Sequence, residues 1–364
     1  MVAQRKPCYG QEELKLLWNV LRDNVSLPPI RALLKERNLP YSAPGEALFR
    51  DQILPALLPP PSQATEPVET TEGAEEVQEA GSKVPTLEEQ DLIQLLRDHE
   101  EYGSQHVFLY ECDAKRARQL LSEQRVRQEL AARQLAGLLE CPRVLDKPLE
   151  PTLVDVRFEN TDAPKSFTLK AVEKRIYQVQ ERPDPFTVIV RQEEERAVNV
   201  MRLHASGLLE LRIAAFRSGG SYNTAQATLW GLAGDVLPMA DFAPVDLVPL
   251  RRSLWQRRNR LLGRLRFRTV RVRTPKGTVV TFATGEPDDN LAQDKAAVDA
   301  IEEILKSGGA IDEINAYWLA LDALRLDRDV HMLLSGQLNE LVILGRCSKA
   351  DHSYVLDRVE AYRR

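Results

Sequence analysis

Apolar positions recur at helical spacing at the start of the chain. Leu14, Leu17, Trp18 and Leu21 predict a helix over roughly 11–23. Ser26 can cap a second helix whose first turn takes Pro28 and Pro29, with Ile30, Leu33 and Leu34 as its apolar face. Asn38-Leu39-Pro40-Tyr41 stops it, and Phe49, Ile53 and Leu57 line a third. Thr86 and Glu89 form a capping box for a helix to about Glu101, carrying Leu87, Leu92, Ile93, Leu95 and Leu96. His106–Tyr110 is a short apolar run that fits neither period uniquely. Asp113 caps a long helix to about Glu140, where Pro142 ends it, so 86–141 reads as mostly helical.

From about residue 150 the period becomes two. Strands are expected at Leu153–Phe158, at Phe167–Val179 (one or two), and at Phe186–Val190, Ala197–Leu203 and Leu208–Ile213. Helices follow at Asn223–Asp235, capped by Asn223 or Thr224, and at Val245–Leu262. Arg264–Arg273 and Thr278–Thr284 flank Thr274-Pro275-Lys276-Gly277 and predict a hairpin. A helix at 290–306, late strands near Ile314–Leu319 and Leu338–Leu344, and a closing helix at Lys349–Tyr362 complete the pattern. The fold class expected is α+β: a small all-α head, then a helical segment, then a mixed, antiparallel-rich sheet with helices.

Composition marks one boundary. Residues 58–86 hold six glutamates against one lysine, start with Pro59-Pro60-Pro61 and contain no aromatic residue. Such a stretch cannot bury enough surface to offset its chain entropy, so a disordered acidic tether is expected. The division is then a head at 1–57, a tether at 58–86, a helical segment at 87–148 and an α/β body at 149–364. The 364 residues suit two or three domains, and 43% hydrophobic content supports a sizeable core. No apolar run reaches a membrane span, and the first residues are polar, so neither membrane nor secretion is expected. Cys8, Cys112, Cys141 and Cys347 are scattered with no CxxC pair, which fits free thiols and an intracellular location, cytoplasmic or nucleoid/nuclear.

The net charge of −5 excludes a uniformly basic protein but conceals a local extreme. Residues 251–276 contain ten arginines, one lysine and no acid: Arg251, Arg252, Arg257, Arg258, Arg260, Arg264, Arg266, Arg268, Arg271, Arg273 and Lys276. That segment is +11, so the remaining residues sum to −5 − 11 = −16. Arginine in place of lysine suits bidentate phosphate or carboxylate contacts. Arg264, Arg266 and Arg268 share one strand parity and Arg271 and Arg273 the other, so a bulge near Thr269 is needed if one face stays buried. Arg251, Arg258 and Arg252 lie on one side of the preceding helix. Helix and hairpin together are expected to present one positive groove.

The run from Ser26 to Phe49, with Leu33, Leu34, Leu39 and Leu48 at its apolar positions and Ala43-Pro44-Gly45 as its turn, resembles a SAP motif. That resemblance, over residues 26–57, implies a helix, an extended loop with a buried leucine, a second helix and DNA binding. Arg31, Lys35, Arg37 and Arg50 are the cations it offers to phosphates, although Glu46 stands where the family is usually basic. The layout of the body is similar to that of the CENP-N kinetochore family, a helical domain joined to an α/β domain with basic residues on DNA.

Chemistry elsewhere is sparse. Ser218-Gly219-Gly220-Ser221 before a helix reads as a turn and cap rather than a phosphate loop, and Glu286, Asp288 and Asp289 as an acidic loop. No His, Cys or acid spacing forms a metal site or a catalytic set, and Asp155 and Glu159 carry no readable signal. No metal, cofactor or catalytic residue is assigned. The expected function is a non-enzymatic nucleic-acid-binding adaptor, for duplex DNA, acting through the arginine groove with help from the head. The alternatives are a protein-interaction subunit docking an acidic partner and a nucleic-acid-processing enzyme.

Overall fold

The computed structural model describes residues 8–57, 87–159, 166–320, 326 and 328–363. The tether expected at 58–86 lies outside the described residues. The chain divides into two compact units, one comprising Met1–Glu100 with Val144–Asp146, the other Glu101–Arg143 with Lys147–Arg364. The helical segment expected at 87–148 is therefore not a unit of its own: its first helix groups with the head and most of the rest with the sheet.

The first unit holds α1 (Gln11–Asn24), α2 (Leu27–Glu36), α3 (Gly45–Leu48), a π turn at Phe49–Ile53, α4 (Leu54–Leu57) and α5 (Glu89–Glu100). Its core is Leu14, Leu17, Trp18, Leu21, Ile30, Leu34, Leu48, Ile53 and Leu92, all nearly inaccessible, with Trp18 stacked on Phe49 at 5.3 Å. Asn38 ends α2 in the left-handed region (φ 55°), which asparagine tolerates better than most residues. Glu13 reaches back to the Gly10 amide at 2.8 Å to close the start of α1. Leu33 and Leu39 are only partly buried.

The second unit is built on one sheet of eleven strands in the order β2-β3-β4-β5-β1-β11-β10-β9-β7-β8, with β6 on β1. The strands are β1 (Gln105–Glu111), β2 (Thr152–Glu159), β3 (Ser166–Asp184), β4 (Thr187–His204), β5 (Leu208–Ala214), β6 (Ala243–Pro244), β7 (Leu265–Arg273), β8 (Val279–Ala283), β9 (Ala310–Trp318), β10 (Val330–Leu334) and β11 (Glu340–Leu344). Every pairing is antiparallel. The α+β class is thus observed.

Helices cover opposite faces of the two halves of the sheet. On the β2–β5 half, α6 (Ala114–Leu120), α7 (Glu123–Ala132) and α8 (Tyr222–Ala233) share a core with Val156, Phe167, Leu169, Met201, Leu209 and Leu211. On the β7–β11 half, α9 (Val248–Gln256), α10 (Arg258–Leu261), α11 (Lys295–Lys306) and α12 (Lys349–Arg363) lie among the elements closing a core of Leu265, Phe267, Val270, Ile314, Trp318, Met332 and Ile343.

Several elements differ from expectation for identifiable reasons. The apolar run at 106–110 is β1, whose Val107 and Leu109 enter one core and Phe108 the other, so both its faces are covered and no alternation survives. The long helix expected at 113–140 breaks at Leu121–Ser122 and ends where Gln134 turns left-handed (φ 59°). Asp113 caps α6 as expected, accepting from the Lys115 and Arg116 amides. Ser221, not Asn223 or Thr224, caps α8 through the Thr224 amide at 3.2 Å. The short strands expected across 167–203 are one continuous hairpin, β3–β4, whose polar middle is a solvated arm. Strand β10 went unread because only five residues alternate.

Candidate nucleic-acid interface

Strand β7 places the arginines of its segment by parity. Leu265, Phe267, Val270 and Val272 point into the core. The pairing with β9 shifts register between Phe267 and Thr269, the bulge that the parity argument required. Arg266, Arg268, Arg271 and Arg273 consequently share the face not covered by α9–α12. Most of that charge is already matched. Arg266 meets Asp288 at 3.1 Å and Asp329 at 3.3 Å, and its guanidinium lies 4.9 Å from the Tyr317 ring centre. Arg271 contacts Asp312 at 3.0 Å and Glu313 at 3.2 Å, while Arg273 contacts Asp312 at 2.9 Å. Burial alone would raise the Asp312 carboxyl, but Arg273 and Arg271 together hold it below its ordinary value. Arg268 has no acid partner among the described residues, and with burial it pushes His331 down.

The helical half of the segment behaves differently. Leu250, Leu254 and Trp255 seat α9 in the core. Arg251 is buried and donates to the Ser335 and Gln337 carbonyls at 2.6 and 3.1 Å, so it serves packing. Arg258 holds Glu302 at 2.8 Å, an acid that Trp255 also contacts at 3.2 Å. Arg252, Arg257, Arg260 and Arg264 remain exposed. None of the four has an acid partner among the described residues; Arg257 lies 5.6 Å from the Tyr362 ring centre. Arg252 stands on α9, Arg257 at the break between α9 and α10, Arg260 on α10 and Arg264 in the turn that leads into β7, so the four follow one another along one short stretch of chain.

The two sets do not converge. Arg252 and Arg260 lie on helices that cover one face of the sheet, and Arg266, Arg268, Arg271 and Arg273 point to the other face. The single helix-and-hairpin groove is corrected to two surfaces, because α9 packs against the inner face of the sheet whose outer face carries the strand arginines. Lys276 stands exposed in the hairpin turn.

In the head, Arg37 pairs with Asp91 of α5, and Arg50 with its neighbour Asp51 at 2.7 Å. Arg31 is half-buried, while Lys35 is exposed without an acid partner among the described residues. The four cations are thus unequal, and Lys35 is the one most available to a phosphate.

A charge cluster that the sequence did not suggest lies inside the second unit. The buried Glu101 carboxylate meets Arg157 at 2.6 Å and Lys170 at 3.8 Å, and its carbonyl accepts from Arg212 at 3.0 Å. Arg157 also holds Asp155 at 2.7 Å; Arg202 and Lys349 hold Glu159 at 2.5 and 2.9 Å. Glu210 is hydrogen-bonded to His204 and lies 3.7 Å from both Arg212 and His352. Burial opposes ionisation of Glu101, but Arg157 and Lys170 overcome it and hold the carboxyl far below its ordinary range. Burial pushes His352 down to about 3, so it is neutral. Glu101, Asp155, Glu159 and Glu210 each have an arginine or lysine within 4 Å, so the buried carboxylates are compensated, which suits fold specification. The signal was invisible because the partners come from β2, β3, β4, β5 and α12.

Among the described residues no group of three His, Cys, Asp or Glu side chains is placed to hold a metal ion. No helix among them is long and apolar enough to cross a membrane. No protein-family model matches the chain, and a search of curated proteins finds no match either.

Proposed function

We propose that this protein is a non-enzymatic nucleic-acid-binding adaptor that holds duplex DNA by its phosphates through Arg252, Arg257, Arg260 and Arg264, with the SAP-like head as a second contact through Lys35. The observation that carries the reading is the stretch from α9 to the start of β7, where these four arginines are exposed with no acid partner among the described residues. A duplex carries one charge per about 1.7 Å of axis, so exposed arginines meet phosphates on any sequence. Affinity then comes without base reading. Two attached modules raise each other's effective concentration on one duplex.

Arg266, Arg271 and Arg273 already hold carboxylates of this chain, so they add little to phosphate contact. Fluorescence anisotropy on two unrelated duplexes separates the two surfaces. Replacing Arg252, Arg257, Arg260 and Arg264 by alanine weakens both duplexes equally, and replacing Arg266, Arg271 and Arg273 leaves both unchanged. Undiminished binding by the first variant refutes the reading.

A further inference from the structure

The β3–β4 hairpin leaves the sheet. Strand β2 accompanies β3 only as far as Val172, and β5 accompanies β4 only from Val200 to Leu203. Beyond these limits β3 and β4 pair only with each other, out to Asp184 opposite Thr187. From Ile176 to Asp184 the ribbon advances about 27 Å at about 3.4 Å per residue. All residues from Gln180 to Glu194 are exposed. An isolated two-stranded ribbon is marginal in water, and an unprotected strand edge invites pairing.

The chemistry of the arm narrows the partner. Strand β4 begins Thr187-Val188-Ile189-Val190, four β-branched residues in succession without proline, glycine or lysine. Val188 and Val190 are 50% and 52% exposed. The nearby charges are satisfied within the molecule: Arg191 by Glu181 at 3.4 Å, Glu194 by Lys174 at 3.0 Å and Glu195 by Arg217 at 2.9 Å. Arg191, the one charged residue of Thr187–Arg191, is thus already paired, so this stretch of β4 offers an edge that is apolar and without a free charge of its own.

We propose that Thr187–Arg191 pairs antiparallel with the same segment of a second copy of this chain, centred on Ile189. In this register Val188 faces Val190 of the other copy, and Thr187 faces Arg191, so no like charges oppose each other. Phe186, 97% exposed, stands in the turn at the tip of the arm. The product is a four-stranded ribbon with a twofold axis, an isologous contact in which each edge is its own complement.

Sedimentation equilibrium on the full chain tests it. The wild type should show twice its 41.2 kDa mass at about 50 μM. V188E and V190K should each raise the dimer dissociation constant at least about tenfold with an unchanged circular dichroism spectrum. The double variant V188E/V190K should restore dimerisation, because the introduced carboxylate then faces the introduced ammonium across the axis. A monomeric wild type, a dimer indifferent to V188E, or a double variant as weak as the singles overturns the proposal. So does a monomer whose DNA affinity falls with V188E, which would make the arm a nucleic-acid contact.

Discussion

Glu101→Gln probes whether the interior charge cluster holds the sheet unit together. The native carboxylate is fully buried, 2.6 Å from Arg157 and 3.8 Å from Lys170. Removing one partner of a buried ion pair costs about 3–5 kcal/mol, because the other charge is left uncompensated. Asp155 and Glu159 still flank Arg157, at 2.7 and 3.4 Å, which places the expected loss at the lower end, about 3 kcal/mol. For a unit of this size that is a fall in Tm of roughly 6–12 °C. Trp230, Trp255 and Trp318 lie in the sheet unit and Trp18 in the head, so tryptophan fluorescence during thermal unfolding follows mainly the unit concerned. The surface pair Arg50–Asp51 supplies the control: Asp51→Asn should leave the transition in place. A Glu101→Gln protein that melts within about 2 °C of the wild type would refute the paired-charge account.

Three further outcomes follow from particular contacts. His352 is neutral in the folded state down to about pH 3, whereas the unfolded chain takes up that proton from about pH 6.5; stability therefore falls as pH drops, by about 1.4 kcal/mol per unit below 6.5. Denaturant titrations between pH 7 and 5 should show this slope, and His352→Phe should flatten it. In the head, Leu34→Ala should cost about 2–5 kcal/mol, because Leu34 is fully buried, and the partly buried Leu39→Ala clearly less; isolated-head melting curves that reverse the order contradict the packing. Arg251→Leu should destabilise the sheet unit by about 1–3 kcal/mol through the orphaned Ser335 and Gln337 carbonyls while leaving the salt dependence of DNA binding unchanged.

Local chemistry made much of this legible. The bulge beside Thr269 follows from arginine parity alone, and the hairpin around Thr274–Gly277 from turn composition. The helices of the head follow from periodicity, and so does the cap at Asp113. What stayed hidden depended on residues distant in sequence. Asp288, Asp312, Glu313 and Asp329 neutralise the strand arginines from loops and from β9, so a count of charges within 251–276 overstated that surface. Which side of the sheet α9 covers is a tertiary fact, and it separates Arg260 from Arg268. β1 carried no period because a core lies on each of its faces. The β3–β4 arm looked like several strands because polar residues interrupt a ribbon that water, not a core, surrounds.

The central claim is that the helix-borne arginines carry phosphate binding, and the salt dependence of duplex affinity tests it most directly. Each contact releases counterions worth a slope of about −0.9 in log affinity against log salt. If Arg252, Arg257, Arg260 and Arg264 all make contact, their replacement by alanine should flatten the wild-type slope by about 3–4 units on any sequence. Folding should be unaffected, since all four are exposed without acid partners among the described residues. Replacement of Arg266, Arg271 and Arg273 should leave the slope unchanged. A folded quadruple variant with the wild-type slope would contradict the account.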